Sequence, residues 1–401
     1  VRSPVDVANA DRLKKSSEAA DTYQGRAVGH SPDGGAAAGR NCHEVPALLV
    51  DPLIRRAESP MRTSRLAGVL AAVGLLGALC GCAAAKSGTA PAGAAATTTS
   101  YTLIQEPQAG YQPIYRFIST ATKTLDMTMY SLSDPKVDAA LIADAKRGVA
   151  VRVLFDSDPT GGGGKPGNQA AYNDLKANGV GVAWAWPGVL WHQKSIVCDH
   201  TAVAVMSCNL YAPDYPAMRD FAVITTNPGA VSGVEATFNA DFSKTTVPPT
   251  PGVAPPGSEL IWSPGAQSGL VSLIGSARPG TTLYSEDEQL ASPVIEQALV
   301  AAARRGVTVD LAMTYSSSYV AAFKTLVAGG VHVNLYHATT PLYIHAKAIS
   351  VNDTTVYVGS SNFTTAMTND DRNVGIITTS PTVVRGVTAT MASDFAGATP
   401  Y

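Results

Sequence analysis

From residue 101 onward, apolar and polar positions follow one pattern twice. Ser133, Asp134 and Pro135 open a stretch of helical spacing that closes at Lys146, Arg147 and Gly148. Residues 149–155 (VAVRVLF) then alternate as a strand does. Later, Ala291, Ser292 and Pro293 open a second helical stretch that closes at Arg304, Arg305 and Gly306, and residues 307–313 (VTVDLAM) alternate again. Each helix carries the same punctuation. Asp or Ser precedes the first turn, where its oxygen can accept an unpaired N–H, and Pro follows, where a missing N–H costs nothing. Basic residues sit in the last turn and Gly at the end. Residues 175–180 (LKANGV) and 326–331 (LVAGGV) form a further matched pair.

The offset is 158 residues at the Arg-Gly pairs and 153 in the later part of each unit. The second copy is therefore about five residues shorter, and the loop 156–167, with glycines at 161–164, is the expected place for the difference. That glycine run reads as a surface loop rather than a phosphate cradle. Strands alternating with helices in each unit predict an α/β protein of two repeated lobes, residues 101–245 and 258–401. Between them, residues 246–257 hold five prolines and predict a semi-rigid linker.

The first hundred residues follow another pattern. Residues 1–60 show no sustained period. At Met61 a basic segment with Arg62 and Arg65 precedes an apolar run from Leu66 to Leu79, too short for a comfortable membrane span but suited to a signal sequence. It ends in Leu79, Cys80, Gly81 and Cys82, which resembles a bacterial lipobox with Cys82 as the lipidated residue. Residues 83–100, rich in Ala, Thr, Gly and Ser, suit a flexible tether. The expectation is that translation starts at Met61, that residues 61–82 are a lipoprotein-type signal peptide, and that residues 1–60 belong to an over-extended reading frame. The alternative is a genuine N-terminal extension with an internal membrane anchor. Either way, the body is expected outside the cytoplasm, in the bacterial cell envelope, lipid-anchored or secreted.

Composition adds two limits. Hydrophobic residues make up 45% of the 401 and charged residues 15%, enough for a substantial core and unlike a disordered chain. Of five cysteines, Cys198 and Cys208 lie in the body, flanking a predicted hairpin whose turn is centred on His200. That register sets Cys198 opposite Ala202 and carries Cys208 far away, beyond disulfide reach. Two buried thiols are expected.

The chemistry lies in the repeat. His192 and Lys194 are followed by Asp199, Ser207 and Asn209; His345 and Lys347 are followed by Asn352, Ser360 and Asn362. A two-residue step puts His and Lys on one face of a strand. The 17-residue step from His to Asn is long enough for a hairpin to bring Ser and Asn back beside them. Two imidazoles can share nucleophilic and acid–base work at phosphorus. Two lysines and two asparagines can hold the non-bridging oxygens. No carboxylate or thiol cluster at metal-ligand spacing accompanies them, so neither metal nor cofactor is expected.

This doubled pattern, H-x-K-x4-D with a downstream G-S-x-N, resembles the phospholipase D superfamily. The first copy has Met206 in place of the usual Gly, and the second has Asn352 in place of Asp. The resemblance covers residues 101–401. It implies two phospholipase D-like lobes, each a mixed sheet flanked by helices, with one active site at their pseudo-twofold interface. It implies catalytic roles for His192, Lys194, Asn209, His345, Lys347 and Asn362, and supporting roles for Asp199, Ser207, Asp220, Ser360 and Asn373. Asp220 and Asn373 stand eleven residues after Asn209 and Asn362, where the family carries a group bonded to a catalytic imidazole. The first copy thus keeps Asp199 and Asp220, and the second has Asn352 and Asn373. From the family mechanism, with a phosphohistidine intermediate, His192 is expected as nucleophile and His345 as general acid.

The motif sets the chemistry and not the substrate. Residues 101–401 hold 18 Lys plus Arg against 23 Asp plus Glu, without the basic groove that a non-specific nuclease needs. A phospholipid head group is the expected substrate. A metal-independent endonuclease of the same superfamily and a non-catalytic envelope binding protein are the alternatives. A monomer is expected, attached to the membrane through Cys82. Trp184, Trp186, Trp191 and Tyr343, just before the histidines, either line an acyl-chain or base-stacking pocket or pack between the lobes. The acidic run Glu286, Asp287 and Glu288 is expected to be a solvated loop.

Overall fold

The computed structural model describes residues 98–158 and 163–401. The signal segment, the tether up to residue 97, Cys82 and part of the glycine run lie outside the described residues.

Each lobe is built on the same six strands in the same order. In the first, β2 (Thr124–Met129), β3 (Ala150–Phe155) and β4 (Gly181–Trp184) run parallel. Next to β2 come β5 (Lys194–Cys198), β6 (Ala202–Met206) and β7 (Met218–Thr225), each antiparallel to its neighbour. In the second, β9 (Thr282–Glu286), β11 (Thr308–Thr314) and β12 (His332–Tyr336) are the parallel set. There β14 (Ala348–Val351), β15 (Thr355–Gly359) and β17 (Asn373–Thr378) are the antiparallel set. Edge strand β1 (Tyr101–Glu106) extends the first sheet beyond β7, and β8 (Leu260–Ser263) extends the second beyond β17.

The helix limits follow the sequence signals. The helix Pro135–Lys146 begins with the Asp134 side chain accepting the N–H of Lys136 at 2.9 Å, and ends before Gly148 at φ 92°. The helix Pro293–Arg304 begins at Ser292 and ends before Gly306 at φ 89°. Left-handed backbone at these ends is where glycine avoids the cost of a Cβ.

The predicted hairpin is present with Cys198 opposite Ala202. Its turn closes with Thr201 N–H donating to the Cys198 carbonyl at 3.0 Å, with Asp199 and His200 at φ 53° and 58°. The second hairpin repeats this with Asn352 and Asp353 at 57° and 55°. Asn, Asp and His are the non-glycine residues best suited to that region. Cys198 and Cys208 are buried free thiols, as expected.

The lobes meet along an apolar seam. Phe221 and Val223 of β7 pack with Ala348, Val356, Val358 and Ile376 of the second sheet and with Val383, Val384 and Val387 of the helix Pro381–Gly397. Burying each such side chain contributes about 1.5–3 kcal/mol relative to exposure. Two short links cross the seam in mirror fashion. Strand β13 (Tyr343–Ile344), just before His345, pairs with β7 of the first lobe, and Trp191, just before His192, bridges to Arg372 of the second.

Candidate active site

These links bring both histidines to the same place. His192 and His345 are 4% and 3% exposed, Lys194 and Lys347 are fully buried, Asn362 is buried and Asn209 half-buried. The Lys194 ammonium donates to the carbonyl of His192 at 2.8 Å, and Lys347 donates to that of His345. Each lysine is thus folded back onto its own strand, beside its own imidazole.

The groups behind the imidazoles are exchanged between the lobes. His345 Nδ1 lies 2.9 Å and 3.0 Å from the two carboxylate oxygens of Asp220, a first-lobe residue. His192 Nδ1 lies 2.9 Å from the Ser360 carbonyl and 3.2 Å from Asn373 Oδ1, both of the second lobe. Serines hold the partners in place: Ser207 Oγ donates to Asp220 at 2.5 Å and Ser360 Oγ to Asn373 at 3.0 Å. Asn373 Nδ2 donates to the Met367 carbonyl at 2.9 Å, which turns its oxygen toward His192. Because Nδ1 of each ring faces acceptors, it carries a proton, and Nε2 is the atom presented to a reacting group. The first copy of the motif keeps the carboxylate, but that carboxylate serves the second histidine.

Electrostatics separate the two rings further. Burial, then Lys194 and Lys347, push His192 well below the ordinary imidazole range and hold it neutral. His345 has Asp220 at Nδ1 and Glu288 Oε2 3.6 Å from Nε2, so a carboxylate faces each of its ring nitrogens.

Glu288 corrects the expectation of a solvated acidic loop. Glu286 and Asp287 are fully buried, and Glu288 points into the site. Its Oε2 accepts from Lys347 at 3.1 Å and from Asn362 Nδ2 at 3.3 Å, and its Oε1 accepts from the Tyr343 hydroxyl at 3.2 Å. Burial opposes its charge, but the Lys347 ammonium is the largest influence holding the carboxyl below its usual range. A three-residue acidic run gives no signal for this, because exposed loops have the same composition. The strand register shows what corresponds to it. Thr124 of β2 pairs with Ala150 and Thr282 of β9 with Thr308, so the lobes match at an offset of 158 and Tyr130 stands where Glu288 does. Tyr130 meets the His192 ring edge-on at 4.6 Å, and the Lys194 ammonium lies 4.7 Å from its centroid.

A second missed pair anchors the backbone before each histidine. Asp156 Oδ1 accepts the N–H of Trp191 at 2.9 Å, and at the matched position Thr314 Oγ1 accepts the N–H of Ile344 at 2.9 Å. Asp371 accepts the N–H of Leu190 at 2.9 Å. Behind the site, Arg219 pairs with Asp394 at 2.5 Å and Arg372 with Asp241 at 2.9 Å, each across the lobes.

Other expected residues lie elsewhere. Asp199 sits at the far end of the hairpin, where its carboxylate accepts the backbone N–H groups of Thr122, Lys123 and Thr124. Asn352 does similar work, accepting from Arg278 N–H at 3.0 Å. Both tie hairpin to sheet. Trp191 is buried between the lobes, 5.4 Å from the Arg372 guanidinium. Trp184 stacks on Tyr172 at 4.4 Å. Tyr343 reaches the site through Glu288.

Comparison with known proteins matches this arrangement. The family described as "Cardiolipin synthase, PLD-like domain" matches residues 114–242 and 270–395, one segment per lobe. Cardiolipin synthase A of Pseudomonas aeruginosa strain LESB58 is 33% identical over 115 residues, which is 29% of this chain and 23% of that protein. The match thus spans about a quarter of that relative's length. Among solved structures, phosphatidylserine synthase of Haemophilus influenzae Rd KW20 is similar with a TM-score of 0.55 at 10% identity, over 73% of this chain and 85% of that one. Polyphosphate kinase of Porphyromonas gingivalis gives a TM-score of 0.55 at 14% identity, over 74% of this chain and 50% of that one. Those two likenesses show the fold. With both lobes matched by one family and the doubled His-x-Lys motif gathered at their seam, the chain belongs to the phospholipase D superfamily.

Proposed function

We propose that this protein is a phosphodiesterase of the phospholipase D type that releases or exchanges a phospholipid head group through a phosphohistidine. The observation that carries the reading is the crossed pairing of the two imidazoles, which sets an amide behind His192 and a carboxylate behind His345. His192 Nε2 attacks phosphorus, and the bond from phosphorus to the leaving oxygen breaks. His345 gives its Nε2 proton to that oxygen. The neutral His345 then takes a proton from water or an acceptor alcohol. The oxygen so activated attacks phosphorus, breaks the P–N bond and restores both rings. Lys194, Lys347, Asn209 and Asn362 hold the non-bridging oxygens and stabilise the charge that grows there.

A lipid substrate is favoured by the family description, by the naming of the relatives as cardiolipin and phosphatidylserine synthases, and by the net charge of −5 over residues 101–401. The test is to incubate the purified protein with phosphatidylcholine vesicles and, separately, with plasmid DNA, both in EDTA. Choline release without nicking is expected, and nicking without choline release would assign the site to nucleic acid. Retention of choline release by His192→Ala would refute the site. An envelope location through lipidated Cys82 belongs to the same proposal, and Cys82→Ser is expected to move the protein from the membrane to the soluble fraction.

A further inference from the structure

Glu288 holds a position that the proposed reaction needs for substrate. One of its oxygens lies 3.1 Å from Lys347 Nζ, 3.3 Å from Asn362 Nδ2 and 3.6 Å from His345 Nε2. These are three of the groups assigned to the phosphate and its leaving oxygen. An ammonium and an amide N–H converging on one oxygen, with an imidazole nitrogen 3.6 Å away, form a site for an anion, and the protein's own carboxylate lies in it. While it does so, Glu288 faces His345 Nε2, the atom that the proposed reaction turns toward the leaving oxygen.

The surroundings separate a fixed backbone from a side chain that is partly exposed. Asp287, fully buried, accepts the N–H of Gln289 at 2.7 Å and that of Phe363 at 3.1 Å, and so pins the loop. The Glu288 side chain keeps 16% of its surface exposed, in contrast to its two acidic neighbours. Its other oxygen, Oε1, accepts from the Tyr343 hydroxyl, a single neutral hydrogen bond. The first lobe has Tyr130 at the matched position, so the device belongs to the second lobe.

We propose that Glu288 is a resident competitor for the phosphate: its carboxylate fills the Lys347–Asn362–His345 donor set and is displaced outward, past Tyr343, when a phosphodiester binds. The inference rests on the proposed function, which assigns this donor set to phosphate. Its consequence is selectivity. A free small anion has nothing to set against a tethered carboxylate, whose local concentration is high. A phosphodiester that also places its lipid and head group on the protein can displace it. The site would then resist inorganic phosphate and its own phosphate-bearing products.

The experiment titrates inorganic phosphate into the intact protein and into Glu288→Gln, Glu288→Ala and Lys347→Ala, by calorimetry and by the phosphate-induced rise in Tm. Phosphate is expected to bind Glu288→Gln and Glu288→Ala at least about tenfold more tightly than wild type, with a correspondingly larger rise in Tm. Lys347→Ala is expected to lose binding. Equal or weaker binding by both Glu288 variants, with Tm showing that at least one is folded, overturns the proposal. If folded Lys347→Ala retains wild-type affinity, the donor set itself is misassigned, and the proposed function is affected as well as the role of Glu288.

Discussion

The halves of the site that surround His192 and His345 are built from the same hairpin, the same turn and the same Lys and Asn positions, yet they hold opposite charge environments. Behind His192 stand an amide and a carbonyl, and in front of it a tyrosine ring. Behind His345 stands a carboxylate, and in front of it another. The comparison teaches that the repeat supplies the reacting atoms twice, while three substitutions at matched positions, Asp220 for Asn373, Glu288 for Tyr130 and Asp156 for Thr314, assign different conditions to each copy. The proposed double displacement would use this difference, with His192 as nucleophile and His345 as general acid.

The sharpest way to break the comparison is to delete each ring. His192→Ala and His345→Ala should each lower phospholipid turnover by about 10³–10⁴-fold. They should differ with a p-nitrophenyl phosphodiester, whose leaving group needs no proton. His345→Ala should then still form a trappable phosphoenzyme, and His192→Ala should not. Phosphate mapped to His345 in the wild type would reverse the roles.

Equalising the groups behind the rings should have a smaller effect. Asp220→Asn gives His345 the kind of partner His192 has, and should cost about 10- to 100-fold in kcat on phospholipid, less on the activated ester. An equal loss on both substrates would argue for a structural role only.

The reverse exchange should move a pH profile. His192 is held below the ordinary imidazole value, so its neutral, attacking form persists as pH falls below 6.5. Asn373→Asp sets a carboxylate beside it and favours the protonated form. The acid limb of kcat/KM for the activated ester should shift to higher pH. An unmoved limb would remove His192 from the attacking role.

The mildest test concerns stability. Burial raises Asp156 from 3.8 to about 7. The folded state therefore keeps a proton that the unfolded chain releases. The stability this group contributes is complete below pH 3.8 and is lost as pH rises through about 7. Asp156→Thr, copying the second lobe's anchor, should flatten the fall in Tm between pH 4 and 7 and raise Tm by a few degrees at pH 8. An unchanged pH dependence would mean that another group, such as Asp371, sets the slope.

Much of this architecture could be read without coordinates because its signals are local. The caps at Asp134 and Ser292, the glycines at 148 and 306 and the alternation of the strands act over a few residues, and so identify helices, strands and the repeat. The spacings from His192 to Asn209 and from His345 to Asn362 specify one hairpin each. The same logic fails at Glu288. A charged residue after a strand is ordinary on a surface, and nothing nearby shows that Lys347 and Asn362 will meet it.

The sequence by itself determined the two lobes, the family and the doubled His-x-Lys motif, since short-range propensity and spacing are enough for these. Tertiary structure alone decided which partner serves which ring. Asp220 reaches His345 across 125 residues and Asn373 reaches His192 across 181, in opposite directions over the seam. Such contacts depend on how two folded lobes dock, and no local pattern encodes that docking. The asymmetry visible along the chain as Asp220 and Asn373 keeps its meaning, but the docking exchanges its two ends.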